Sequence, residues 1–171
     1  MTERLTPFLL WEEENVDFVA DVYQLTQDFM NDYPEASYPE LMHKLGRPYS
    51  CLLVDTHYDY YICIPFRSHI NHKNSFMFHG TQRSMRSKSG LDYTKIILIN
   101  KDNYIDDKKV VVDQDEYNEV QKNLVRIVTE AVTYVEDYIG HVTGTAPMHP
   151  RQFARKYQYS TLPYFHDIMN I

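Results

Sequence analysis

The sequence predicts an α+β fold in which an antiparallel sheet packs against an N-terminal helix and a long C-terminal helix. Two apolar runs with strand character, Pro48–Val54 and Tyr58–Ile64, are joined by a short polar turn. From Asp113 to Gly140, apolar residues recur every three or four positions, which is helical spacing. The chain has 171 residues, is 43% hydrophobic and shows no dividing linker. We therefore expect a single domain spanning residues 1–171, whose sheet could form a small, partly open barrel.

The N-terminal part is predicted to be mainly helical. Arg4–Leu10 is expected to form a short strand or an extended arm, and Leu41–Leu45 one further helical turn. Between them, Trp11–Met30 is predicted to be a helix because its apolar residues share one face. These residues are Phe18, Val22, Leu25 and Phe29.

Beyond Ile64, where Pro65 is expected to end the second strand, three shorter strands are predicted: Ser75–His79, Lys95–Asn100 and Lys109–Val112. The polar, serine-rich stretch Gly80–Gly90 is predicted to be a mobile loop. Near the C-terminus we expect a short helix, Arg151–Tyr157, followed by an apolar tail that docks on the body.

Charge is distributed unevenly along the chain. Residues 67–95 contain six Lys or Arg side chains and one acid, Asp92. Since the whole chain has a net charge of −7 and this segment is +5, the remaining residues carry −12. A cationic segment on an acidic protein favours a partner that bears phosphates, whereas the overall charge argues against a general nucleic-acid coat.

Several kinds of site are disfavoured. The chain contains no glycine-rich nucleotide loop, no H-E-x-x-H and no C-x-x-C, and Cys51 and Cys63 lie in apolar runs typical of buried free thiols. His69, His72 and His79 could form a three-histidine metal site, but the surrounding positive charges would repel a cation. We expect no metal and no cofactor. No signal peptide or membrane span is predicted, which favours a cytoplasmic location.

The run Arg67-Ser68-His69-x-x-His72-Lys73 suggests RNA cleavage without a metal. That reaction needs a group that helps to deprotonate the ribose 2′-OH and donors that stabilise charge on the phosphoryl oxygens. Histidine transfers protons near neutral pH, and arginine binds two oxygens at once. The alternatives are that Ser68 only caps a turn, or that the segment binds RNA or phosphate without catalysis.

Several stretches of the sequence resemble a known family. Arg47-Pro48-Tyr49 opens one strand, and a second strand leads into Pro65-Phe66-Arg67-Ser68. This pattern resembles the ToxN/AbiQ-like toxins of type III toxin–antitoxin systems. The downstream motif Ser89–Ile96 and the tail Tyr159–Phe165 are similar to the TenpN and CptN branches of these toxins.

The resemblance implies a sequence-selective, metal-independent endoribonuclease that leaves a 2′,3′-cyclic phosphate. It further implies a fold like that of the Kid/MazF-type toxins, which is a strongly bent antiparallel sheet with helices around it. The expected partners are target RNA and a small repeat RNA antitoxin, which inhibits the toxin in a closed protein–RNA assembly with no membrane involved.

Residue by residue, Ser68 matches the catalytic serine of the family. Arg67 stands where better-known members have threonine or serine, and Ile70 stands where they have lysine. His69, His72 and Lys73 are the candidates for the role of that lysine. The predicted catalytic residues are Ser68, Arg67, His69, His72 and Tyr49. The predicted RNA-binding residues are Arg47, Lys73, Arg83, Arg86, Lys88 and Tyr93.

Overall fold

A computed structural model of the chain describes residues 20–43, 49–108, 110 and 112–171. Within these ranges, seven strands form one antiparallel sheet that does not close into a barrel. The predicted α+β class is confirmed. In chain order the strands are β1 Ala20–Leu25, β2 Ser50–Val54, β3 Tyr61–Arg67, β4 Ser75–Met77, β5 Gly90–Asp92, β6 Ile97–Ile99 and β7 Ile105–Asp106.

The described ranges also contain six α-helices. They are α1 Gln27–Asp32, α2 Gln82–Ser87, α3 Gln114–Lys122, α4 Leu124–Val142, α5 Pro150–Tyr157 and α6 His166–Met169. The short C-terminal helix is thus confirmed, and so is the docked tail, since Leu162 and Phe165 are completely buried. None of the helices in the described ranges combines the length and the apolar character that a bilayer crossing requires.

Strand β3 connects the two parts of the sheet. One of its edges pairs with β2, while the other pairs first with β6 at Tyr61–Cys63 and then with β5 at Phe66–Arg67. Pro65 lies between these last two pairings, so its missing N–H leaves no gap in either ladder. The expectation that the strand ends at Pro65 is therefore wrong. The strand continues to Arg67 and holds that residue firmly at its end.

The N-terminal region differs from the prediction. Ala20–Leu25 is a strand paired with β2 and not part of a helix, and helical structure covers only Gln27–Asp32. Pairing with the buried strand β2 outweighs the helical spacing of the apolar residues. Leu41–His43 is not helical. The predicted elements at residues 4–10, 11–19 and 44–45 lie outside the described residues, as do Lys109 and Val111 of the predicted strand Lys109–Val112.

Two other expectations need correction. Gly80–Gly90 is not a mobile loop, because it contains α2, whose N-cap Thr81 forms a reciprocal capping box with Ser84. The predicted long helix is divided at Asn123, whose φ of −117° and ψ of 17° separate α3 from α4. The face that α4 buries against the core consists chiefly of Ile127, Val128, Ala131 and Val135.

Candidate active site

A cleft of about 450 Å³ opens where the C-terminal end of β3 meets helix α5 and the turn after β5. One wall comes from Arg67 and the segment that follows it, and the other comes from residues 155–159. The cleft is lined by Glu40, Arg67, Asn71, His72, Asn74, Thr94, Lys95, Arg155, Lys156, Gln158 and Tyr159. Four of its five Lys, Arg, Asp or Glu side chains are cationic, and Arg155, which has no ion pair among the described residues, favours an anionic ligand.

The carboxylate of Asp92 lies behind this cleft and is completely buried. Its Oδ1 accepts hydrogen bonds from the Thr94 amide at 2.9 Å and the Thr94 hydroxyl at 2.6 Å. Its Oδ2 accepts one from Arg67 Nη1 at 2.6 Å. Burying an ionised carboxylate is unfavourable unless it is paired and hydrogen-bonded, and Asp92 meets both conditions.

The same carboxylate also holds His72. Nε2 of the imidazole lies 3.3 Å from both Asp92 oxygens. In the neutral ring, a proton on Nε2 faces the carboxylate and the lone pair is left on Nδ1. Nδ1 is enclosed and has no hydrogen-bond partner in the described part of the chain. Asp92 therefore fixes an arginine and a histidine, both partly exposed, at one wall of the cleft.

The opposite wall is built from the end of α5, from the two residues that follow it and from the turn after β5. Lys95 Nζ donates to Glu40 Oε2 at 2.8 Å and to the Tyr159 carbonyl at 2.9 Å. Lys156 pairs with Asp137 at 2.9 Å. Arg155 is exposed, and no ion pair is found for it among the described residues. Its guanidinium is therefore available to a ligand.

The structure places two of the predicted catalytic residues, Arg67 and His72, in this cleft. Ser68 follows Arg67 directly but does not line it, as expected when neighbouring side chains of an extended segment point to opposite sides. His69 is exposed at a left-handed backbone angle, φ 59°, and its amide donates to the Ser87 carbonyl at 2.5 Å.

Tyr49, also a predicted catalytic residue, lies in the core. Burial, reinforced by the neighbouring thiols of Cys51 and Cys63, raises the pKa of its phenol well above the usual range. Such a group does not give up its proton at neutral pH. Both cysteines are buried and free, as predicted.

Among the predicted RNA-binding residues, Arg83 has a structural partner. Its Nε and Nη2 each donate to buried Glu116 at 3.0 Å, and Ser89 donates to the same carboxylate at 2.9 Å. Tyr93 is also buried, and its hydroxyl donates to Glu130 at 2.7 Å. Burial, and after it the contact with Glu130, raise the pKa of the Tyr93 phenol above its usual range.

The other predicted RNA-binding residues are placed differently. Lys73, Arg86 and Lys88 are exposed, and none of them forms an ion pair with the described residues. Lys88 closes α2 in the left-handed conformation. Arg47 lies outside the described residues.

Sequence reasoning missed Asp92, Lys95, Arg155, Lys156 and Tyr159 as members of the site. One signal was present, because Asp92 is the only acid among the six bases of residues 67–95. A second signal was the spacing of Arg151, Arg155 and Lys156, which puts positive charge on a single short helix.

Comparisons with known proteins identify no relative. No family model, no curated protein and no solved structure matches the chain. Within the described residues, no group of three or more His, Cys, Asp or Glu side chains is arranged to hold a metal ion.

Proposed function

We propose that this protein is a sequence-selective endoribonuclease that cleaves RNA without a metal, by attack of the ribose 2′-OH on the adjacent phosphate. The observation that carries the proposal is the buried Asp92 carboxylate, which holds Arg67 and His72 together at the wall of a cationic cleft. These side chains supply a proton-transfer group and a phosphate-binding group side by side.

In the proposed reaction, His72 takes the proton of the 2′-OH as the O2′–P bond forms and the P–O5′ bond breaks. The departing 5′-oxygen takes a proton from solvent, because the cleft is open. The products are a 2′,3′-cyclic phosphate and a free 5′-hydroxyl. Nδ1 is enclosed and Nε2 faces Asp92, so neither ring nitrogen is open to the 2′-OH. One of them must therefore leave its present surroundings when the substrate binds.

Arg67 contributes charge at the phosphate. Only Nη1 is used by Asp92, so the rest of the guanidinium can donate to phosphoryl oxygens. Asp92 acts as a positioning residue, since it orients both Arg67 and His72 and stabilises the imidazolium that forms during proton transfer.

The resemblance to type III toxins adds an RNA inhibitor and a cellular location to the proposal. In this proposal a small repeat RNA antitoxin occupies the cleft in a closed protein–RNA assembly, and the toxin acts on RNA in the cytoplasm. The Kid/MazF-like arrangement of the sheet belongs to the same proposal. Exposed Lys73, Arg86 and Lys88 support it, since they can bind phosphates outside the cleft.

The test is cleavage of RNA by the purified protein with and without EDTA, with the 3′ ends of the products analysed. We expect cleavage that resists EDTA and products that end in a 2′,3′-cyclic phosphate. His72→Asn should lower the rate constant roughly 100- to 10,000-fold, which is the usual contribution of a general base.

His69→Asn is the matched control, because His69 lies outside the cleft and asparagine tolerates its left-handed backbone. We expect it to cleave like the parent. Loss of activity in EDTA would argue for metal chemistry, and equal rates for the two variants would remove His72 from the mechanism.

Ser68→Ala tests the residue that the resemblance singles out. Unchanged cleavage would leave Ser68 without a role, and loss of cleavage would return it to the mechanism. Salt-sensitive RNA binding with no cleavage by the parent protein would instead indicate a non-catalytic RNA-binding module.

A further inference from the structure

Tyr159 combines an exposed side chain with a buried chain segment. The residue is 62% exposed, whereas Ser160 and Thr161, which follow it, are buried. Its side chain lines the cleft that contains Arg67 and His72. A large aromatic residue that remains exposed next to a cationic cleft is available for contact with a ligand.

The backbone around Tyr159 is held firmly. Its carbonyl accepts a hydrogen bond from Lys95 Nζ at 2.9 Å. Two residues on, the Thr161 amide donates to the Thr94 carbonyl at 3.0 Å, and the Thr161 hydroxyl donates to the Ile96 carbonyl. The backbone that carries the tyrosine is therefore positioned before a ligand arrives, which reduces the entropy lost on binding.

Arg155 lies four residues before Tyr159, on α5, and lines the same cleft. It is exposed, and no ion pair with the described residues competes for it. An aromatic ring for a base and a guanidinium for a phosphate are the two groups with which proteins bind single-stranded nucleic acid.

We propose that the α5 wall of the cleft is a nucleotide subsite, in which Tyr159 stacks on a nucleobase and Arg155 binds the neighbouring phosphate. The ligand class is single-stranded RNA, because bases inside a duplex are already stacked on each other and cannot reach the ring. This proposal rests on the proposed function. It adds that the substrate must be unpaired next to the cleaved phosphate.

The test measures binding and not cleavage. A short oligonucleotide with 2′-O-methyl riboses cannot be cut by 2′-OH attack, so fluorescence anisotropy reports its affinity for the parent protein and its variants. Tyr159→Ala should weaken binding roughly 5- to 150-fold, the range found when one stacking aromatic residue is removed.

Tyr159→Phe keeps the ring and should bind like the parent. Met85→Ala truncates another exposed apolar side chain, outside the cleft, and should also leave binding unchanged.

The outcomes separate this proposal from the proposed function. If the parent binds and Tyr159→Ala binds equally well, the subsite is wrong, whether or not RNA is cleaved. If Tyr159→Ala loses affinity while the parent cleaves no RNA, the subsite stands and the nuclease proposal fails. A duplex that binds as tightly as the single strand, with the same loss in Tyr159→Ala, would also overturn the subsite.

Discussion

Two regions of this protein contain the same chemical arrangement and use it differently. In the cleft, Arg67 pairs with buried Asp92, and at the junction of α2 and α3, Arg83 pairs with buried Glu116. The two arginine side chains are similarly exposed, at 33% and 36%. Exposure and charge therefore do not distinguish the two pairs.

The surroundings of the carboxylates do distinguish them. Glu116 accepts both arms of the Arg83 fork and the Ser89 hydroxyl, so the pair fastens α2 to α3. Asp92 binds only one end of Arg67 and also holds His72 beside an open cleft. An arginine paired with a buried carboxylate is thus in itself a structural device. The pair at Asp92 differs because it has unused donors, a titratable neighbour and space for a ligand.

The largest effect should come from neutralising the two carboxylates without changing their shape. We expect Asp92→Asn to slow RNA cleavage by at least about 100-fold, since a neutral amide neither stabilises the imidazolium of His72 nor holds its tautomer. Glu116→Gln should leave the single-turnover rate within about twofold of the parent, because Glu116 is remote from proton transfer. An equal loss of cleavage rate in the two variants would contradict the proposed difference between the two arginine–carboxylate pairs.

Thermodynamic stability, unlike the cleavage rate, should depend strongly on Glu116. Glu116→Ala removes the partner of Arg83 and Ser89 together, and we expect the free energy of unfolding to fall by about 2–3 kcal/mol. This value is below the 3–5 kcal/mol typical of breaking a fully buried pair, because Arg83 can turn toward water. His72→Ala serves as the comparison and should cost less than about 1 kcal/mol, since the histidine is partly exposed.

Urea denaturation of the two variants measures both values. A stability loss in His72→Ala that matches the loss in Glu116→Ala would show that the cleft, too, is mainly a structural region.

The smallest expected effect concerns the exposed cations. Arg155→Gln should reduce the slope of log K against log salt concentration by about one, for both a dinucleotide and a longer RNA. The reason is that one phosphate contact is lost in the cleft. Arg86→Gln combined with Lys88→Gln should affect only the longer RNA, since α2 does not line the cleft. Titrations at several salt concentrations give the slopes. A change in dinucleotide binding in the double variant would place α2 nearer to the site.

How far the sequence could predict this fold depended on the range of the contacts. Local patterns predicted a strand at Ser75–His79 and a short helix at Arg151–Tyr157, and the structure has them at Ser75–Met77 and Pro150–Tyr157. The alternation that places Phe76 and Phe78 on one face is also confirmed, since both are buried. Ala20–Leu25 was misjudged because Val22 and Leu25 fit a helical face as well as a strand, and pairing with β2 decides between them. The helix break at Asn123 could not be predicted, because no proline or glycine lies next to it in the sequence.

The site shows the same limit. Arg67 and His72 were predicted because they follow a strand end in a basic segment, which is a local signal. Lys95 contacts Tyr159, which lies 64 residues away in the sequence, and Arg83 contacts Glu116, which lies 33 residues away. Such contacts depend on tertiary structure, so the sequence could suggest a cationic surface but not which of its charges are free.

The hydrogen bonds that join Thr161 to Thr94 and Ile96 also affect the order of folding. One wall of the cleft comes from a strand end near the middle of the chain and the other from residues close to its end, so the cleft exists only after a long loop has closed. Because long-range contacts form late, and because synthesis proceeds from the N-terminus, a growing chain would hold most of its sheet before it held a complete site. In pulsed hydrogen exchange during refolding, we therefore expect the Thr161 amide to gain protection after the amides that pair β2 with β3. Under the proposed function, a chain that assembles in this order would be inactive during most of its own synthesis.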